Sequence, residues 1–371
     1  MKRNSSSFPQ KLDRRFLWIG LGLLSLLIRW IFSMNPYFTE VLYSRGIFAI
    51  IRWAYDYTLG WIPFPILYLF VPVLLSWIVW KIRIYRKRYQ GRTWLQQTAA
   101  WILHLLAFGG GVVCFFFFLW GYNYSRLPLE EQMDLSVGSL DAASIKAEFF
   151  LATKEAVEAR DTIPNITDSA MVAAFFPHPL ESHMRKSLEE VLDTIGSGSP
   201  GRVRGRRLWP KGLLMQLGAT GIYIPFVAEG HIDAGLHPVS QPFTLAHELG
   251  HGYGFGDEGT CNFLGYLACE QSSDPAIQYA GKLSYWREVA GLYRKLSPKA
   301  YKEHRAALPA GMLADIEAIN AAYRKYPGFF PDFSRSTYNS YLKSQGISEG
   351  TVNYSRVVAM VAAWRRRIPK K

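Results

Sequence analysis

Two histidines four residues apart with a glutamate beside the first, His247-Glu248-Leu249-Gly250-His251, are the side chains of this sequence best suited to do chemistry. On a helix, residues four apart share a face, with Cβ atoms about 5–6 Å from each other. Both imidazoles can then reach one zinc ion at Zn–N distances of about 2.0–2.1 Å. Glu248 lies where a carboxylate can hold a water at the metal and take its proton. The chemistry this implies is hydrolysis, with one catalytic Zn2+ as cofactor and Glu248 as general base. A catalytic zinc takes three protein ligands and leaves a fourth position open, and two acids compete for third place. Asp257 completes H-E-x-x-H-x-x-G-x-x-D, with Gly254 supplying a turn. Glu258 lies one residue further on and opens E-x-x-x-N with Asn262. Spacing alone leaves the two level.

These residues need a helix beneath them and supports on either side. The apolar run Pro242–Leu245 leads into the motif and predicts a helix. Leu213–Phe226, with the β-prone Gly221-Ile222-Tyr223-Ile224, reads as strand, and His231–Ser240 as the loop feeding the zinc helix. Further helices are expected at Ser139–Arg160, Leu180–Ile195, Ala276–Leu296, Met312–Tyr326 and Tyr354–Arg367. The glycine-serine turn Gly196–Pro200 and the basic group Arg202, Arg204, Arg206 and Arg207 read as an exposed loop. An oxyanion formed in the reaction needs a donor besides the metal, and Tyr223, His231, His237 and Tyr253 are the candidates. Cys261 and Cys269 would stand about 12 Å apart along a helix, too far for a disulfide, and read as core residues.

Charged residues make up only 19% of the 371 residues and aromatics 15%, which is poor in charge for a soluble protein. Three apolar stretches account for this, at about 16–34, 61–80 and 99–120, each near the twenty residues a bilayer requires. The first follows a basic tail, as a signal peptide would, but no small-residue cleavage site comes at the right distance. Residues 1–98 hold fourteen Lys/Arg and three Asp/Glu, so +11 of the formal +13 lies beside the apolar stretches. That is topology signal rather than a nucleic-acid patch, and no nucleic-acid partner is expected. The positive-inside rule puts the N-terminal tail and the basic loop 81–92 in the cytoplasm. Three spans then place everything after about residue 121 outside it. Val41–Trp53, apolar between two arginines, is expected to lie along the outer interface, a short re-entrant turn being the alternative.

The chain resembles a bacterial membrane family, domain of unknown function 3810. The resemblance is carried by Glu40–Ser44, Ile62-Pro63-Phe64, Trp120-Gly121-Tyr122-Asn123-Tyr124, Gly221–Phe226 and Phe243–His251. It continues in Glu258…Asn262-Phe263-Leu264…Tyr266-Leu267-Ala268-Cys269, in Tyr341-Leu342-Lys343, and in Tyr354-Ser355-Arg356-Val357-Val358. The family pattern has a glutamate at the position of Glu258 and often a second acid where this chain has Thr260. The resemblance thus implies Glu258 as third ligand, with Asp257 the alternative and Asn262 in support. It implies a membrane-bound zinc metallopeptidase of the bacterial inner membrane and supplies no substrate. The expected architecture is a three-helix anchor in the lipid bilayer (1–120) followed by a mainly α, α+β zincin-like domain outside the cytoplasm (121–371). Its expected partner is a peptide or protein substrate at the membrane surface. A structural zinc site, or an inactive zincin-fold sensor or scaffold, is the competing reading.

Overall fold

In a computed structural model, residues 13–329, 331–347, 353 and 355–367 are described. Helix α1 (Arg14–Ser33) is started by Asp13, whose carboxylate accepts from the Arg15 backbone N–H. Asn35 caps the short α2 (Pro36–Thr39), which continues through a π-helical stretch (Glu40–Ile47) into α3 (Phe48–Leu59). Then come α4 (Leu67–Arg88) and α5 (Trp94–Leu119). Helices α1, α4 and α5 are each long and apolar enough to cross a membrane. Their ends differ from the expected ones. Residues 61–66 stay outside α4, because Pro63 and Pro65 disfavour helical conformation in the residues before them. At its other end α4 runs on through the basic stretch that had read as a loop, to Arg88.

Small residues bring α1 and α5 together, as between membrane helices. A Cβ on Gly22 would lie 2.6 Å from the Gly110 Cα, so the two backbones touch. In contrast α4 buries none of its side chains. Stacking of Tyr85 on His104, 3.6 Å between ring centres, joins it to α5. From α2 to α3 the chain is two-sided. Glu40, Tyr43, Ser44, Phe48 and Arg52 are buried, whereas Phe38, Leu42, Ile50, Trp53 and Tyr57 are exposed.

After a 3-10 turn at Gly121–Ser125 the chain continues with α6 (Leu129–Gln132), α7 (Ala142–Asp161) and α8 (Leu180–Thr194). Next are β1 (Arg204–Leu208), α9 (Leu213–Gln216), β2 (Gly221–Ile224) and β3 (Glu229–Asp233). The rest is helical: α10 (Gln241–Gly252), α11 (Glu258–Gln271), α12 (Pro275–Leu296), α13 (Pro298–Ala306), α14 (Ala310–Lys325), α15 (Pro331–Ser344) and α16 (Arg356–Arg367). Tyr354, expected to begin the last helix, lies outside the described residues. The chain is therefore mostly helical, with one small mixed sheet. Phe149, Met184, Leu188, Leu249, Phe263, Trp286 and Met360 from six helices fill its main core.

Three expectations around the sheet are corrected. The stretch from Leu213 opens as helix α9, because the Asp233 carboxylate accepts from the backbone N–H groups of Gly212 and Leu214, each at 2.7 Å. His231 belongs to β3 rather than to a loop. The arginines of 204–206 form β1 rather than an exposed loop, since each finds a carboxylate: Arg204 pairs with buried Glu229, and Arg206 with Glu181. Strand order is β1-β3-β2, with β1 parallel and β2 antiparallel to β3, which makes β2 an edge. One face of the sheet, at Gly205, Gly221 and Gly230, lies against α10. Residues of alternate parity, Glu229 and His231 among them, point to the other face.

Replacing Gly22 by Leu inserts a side chain where two backbones meet. The expected loss is about 1–3 kcal/mol, read as a lower unfolding midpoint of the detergent-solubilised chain. An unchanged midpoint would mean that α1 and α5 are not in this contact.

Candidate metal centre

Pro242 opens α10, which runs buried into the protein, with His247, Glu248 and His251 each less than a tenth exposed. The helix stops at Gly252, and Gly254 takes a left-handed φ of +87° that turns the chain back. A Cβ there would also crowd Phe48 and Asn123. Asp257 then starts α11 by accepting from the Thr260 N–H at 2.7 Å. This hairpin brings the first residue of α11, Glu258, over the two histidines of α10.

The result is a tight triangle. His247 Nε2 and His251 Nε2 are 3.1 Å apart, and the Glu258 Oε2 atom lies 3.1 Å from the first and 3.4 Å from the second. Ligand atoms held tetrahedrally at about 2.0–2.1 Å from zinc would be separated by about 3.3 Å. The protons of the triangle are set from outside. His251 Nδ1 donates to the Phe255 carbonyl at 2.7 Å, so its neutral ring presents a bare lone pair at Nε2. His247 Nδ1 is hydrogen-bonded to Asn262 Oδ1 at 2.8 Å, which orients that ring in the same way. On Glu258 the Tyr338 hydroxyl donates to Oε1 at 2.5 Å, while Oε2 is buried with no hydrogen-bond donor. Three acceptors thus face one point.

Electrostatics agree with a demand for positive charge there. Burial works against ionising Glu258, yet His251 and His247 beside it hold its carboxyl well below the usual range. Burial likewise opposes the charged form of His251, but Cys261 and Glu258 hold its pKa well above that of an ordinary imidazole. A zinc ion fits the same need. Two imidazoles and a carboxylate, with each imidazole held through its other nitrogen, form a donor set that fits this ion.

Glu248 occupies a slot beside this triangle. Gly221 and Gly230, on neighbouring strands, leave room for it: a Cβ on Gly221 would collide with its carboxylate, and one on Gly230 would come within 2.8 Å of its Cβ. Burial pushes the Glu248 carboxyl up to about 7, with His247 and His251 pulling the other way, and its Oε2 has no hydrogen-bond partner. The carbonyl end of α10 is held by residues that follow α5. Trp120 Nε1 donates to the His251 carbonyl at 2.7 Å. Arg126 donates to the Gly254 carbonyl at 2.9 Å and grips the buried Glu40 through two nitrogens. A cation there complements the helix dipole.

Other residues singled out by sequence lie elsewhere. The Asp257 carboxylate is spent as a helix cap, with Arg356 3.7 Å away, and it takes no part in the triangle. His231 is fully buried on the sheet face turned away from α10. The Tyr253 hydroxyl donates to Glu189 on α8 at 2.6 Å. Burial holds the His237 imidazole below its ordinary pKa, with Asp315 of α14 acting the other way. Of the four proposed oxyanion donors only Tyr223 is on the sheet face of the metal centre, its ring 5.6 Å from that of Trp120. Cys261 lies 3.3 Å from His251 Nδ1, on the side away from the triangle, and burial pushes its thiol up to about 11 against the pull of His251. Sequence spacing missed Tyr338, for which it holds no signal. Tyr124 and Tyr341, hydroxyl to hydroxyl at 3.1 Å, and Trp120 sit in stretches that carried the family resemblance.

A family profile described as protein of unknown function DUF3810 matches residues 43–362. The chain belongs to this family. The match takes in α4, α5, the sheet and the whole metal centre of this DUF3810 member. No curated protein and no solved structure matches it.

Metal content of purified variants, read by mass spectrometry, tests the ligand set. His251→Ala and Glu258→Ala are expected to lose the zinc. Asp257→Ala is expected to keep it while losing about 1 kcal/mol of stability with the cap. Asn262→Ala should weaken zinc binding by about 10–100-fold. Loss of metal in Asp257→Ala with retention in Glu258→Ala would move the third ligand.

Proposed function

We propose that this protein is a membrane-anchored zinc metallopeptidase with a zincin-like site on the extracytoplasmic side of a bacterial inner membrane. The observation that carries the reading is the convergence of three buried acceptor atoms beside a second carboxylate, Glu248, whose Oε2 has no hydrogen-bond partner. His247, His251 and Glu258 would hold the zinc, with Asn262 and the Phe255 carbonyl fixing the imidazole tautomers. Zinc bound there supplies Lewis acidity, which polarises a substrate carbonyl and acidifies water. Glu248 then takes a proton from the attacking water and returns it to the departing amine nitrogen. Its desolvated slot makes it a stronger base than an exposed glutamate. Trp120 and Arg126 act as positioning residues by holding the carbonyl end of α10. Tyr223, on the sheet face that Gly221 turns to Glu248, is the proposed donor to the developing oxyanion.

The orientation follows from charge. The basic tail and the basic end of α4 belong on the cytoplasmic side by the positive-inside rule, and the odd number of apolar helices puts the metal centre on the other.

Glu248→Gln keeps the shape of the side chain and removes the base. The expected result is full zinc content with peptide hydrolysis lowered by about 10²–10⁴-fold. The wild-type rate should fall on the acid side as Glu248 gains a proton, and the charge of bound zinc draws that limb below the value of about 7 that burial and the neighbouring side chains set. Equal activity of Glu248→Gln and wild type would remove Glu248 from the reaction. Zinc without turnover in the wild type would favour a sensor or scaffold.

A further inference from the structure

We infer that the substrates are polypeptides held in the same membrane, cut a few residues beyond the point where they leave the bilayer. This rests on the metallopeptidase reading and adds the substrate class to it. The height of the site comes first. Trp120 directly follows the last turn of α5, and its indole lies 6.2 Å, ring to ring, from the His251 imidazole while bonding the same residue's carbonyl. One side chain therefore separates the end of a membrane-length apolar helix from a candidate ligand.

Among the described residues no stalk lifts the site away from the helix ends. The two-sided helix from α2 to α3 offers an apolar row, Phe38, Leu42, Ile50 and Trp53, suited to lie in an interface. Its opposite side is bonded to the turn after β2, through Arg52 to the Ala228 carbonyl at 2.9 Å and Tyr55 to the Phe226 carbonyl at 3.2 Å. That same turn rests on α4, where Phe226 stacks on Phe70. The edge strand β2 thus passes from Trp120 above α5 to the first turns of α4, with its Gly221 against Glu248. The approach to Glu248 along this edge runs level with the helix ends.

Reach then sets the cut. An indole and an imidazole put the metal about 10–15 Å above the apolar boundary, and an extended chain at about 3.3 Å per residue covers that in about three to five residues. A segment already tethered in the bilayer also arrives at high effective concentration, which a diffusing soluble protein does not.

The full chain, zinc-loaded and reconstituted in liposomes, is tested on a randomised octapeptide library in three forms, with Glu248→Gln as blank. One form follows a transmembrane helix directly, one follows it after a flexible linker of roughly thirty residues, and one is free in solution. Mass spectrometry of the products is expected to show roughly tenfold or more cleavage of the direct fusion, with cuts about three to five residues from the helix. Equal cutting of the free library overturns the membrane-held class and leaves the peptidase intact. No cutting of any form by zinc-loaded protein overturns the peptidase reading itself. Depth is measured without turnover by a nitroxide on Ile222→Cys in a Cys114→Ala background. Stronger relaxation by a nickel chelate carried on lipid headgroups than by the same chelate free in water is expected, and the reverse overturns the inference whatever the activity.

Discussion

Two imidazole nitrogens and a carboxylate oxygen within 3.4 Å of one another repel unless positive charge stands between them, and the surrounding protein is built to hold them there. Each member of the triangle is fixed from behind by a group that gives up nothing to it: Asn262 and the Phe255 carbonyl on the rings, Tyr338 on the carboxylate. The hairpin from α10 to α11 closes over them with Gly250 facing Cys261 and Leu264, where an added Cβ would meet them at ordinary contact distance. A buried polar site of this sort is costly unless every member is satisfied. The cost is offset by the apolar core behind it, in which α10, α11 and α12 are packed.

The second constraint is that anchor and domain are not separable bodies. Glu40 sits 3% exposed, under Arg126 and Arg45, and Arg126 in turn carries the carbonyls after α10. On the other side of the sheet Glu229, fully buried, accepts from the Ile66 backbone N–H just before α4 and pairs with Arg204. Removing one partner of such a buried pair leaves a charge uncompensated, at about 3–5 kcal/mol. Division at residue 120 would cut through the supports of the metal centre, because Trp120 and Arg126 straddle it.

Sequence spacing was enough for the helix under His247 and His251, since an i, i+4 pair on an apolar run has one geometric meaning. The apolar stretches were equally plain, and only their ends moved, where prolines delayed α4 and where basic residues stayed helical. The choice between Asp257 and Glu258 was not legible from spacing, because one residue decides whether a carboxylate caps a helix or turns inward from its first turn. His231 misled for a related reason. Its burial depends on strand pairing, with Arg206 of β1 on one side and Ile222 of β2 on the other. Tyr338 carried no signal, as its role exists only once α15 is folded over Glu258.

Glycines at 221 and 230 carry a consequence for comparing sequences within the family. Neither lies at a positive φ, so neither is needed for backbone freedom. Both face Glu248, Gly221 its carboxylate and Gly230 its Cβ and backbone, and leave it space. A family member that retains H-E-x-x-H but bears a side chain at either position would have to move the glutamate out of its dry slot, and with that lose the basicity burial confers. These two positions therefore sort members able to hold a buried base from those that keep only a metal-binding shell, and they do so from sequence, before any protein is purified.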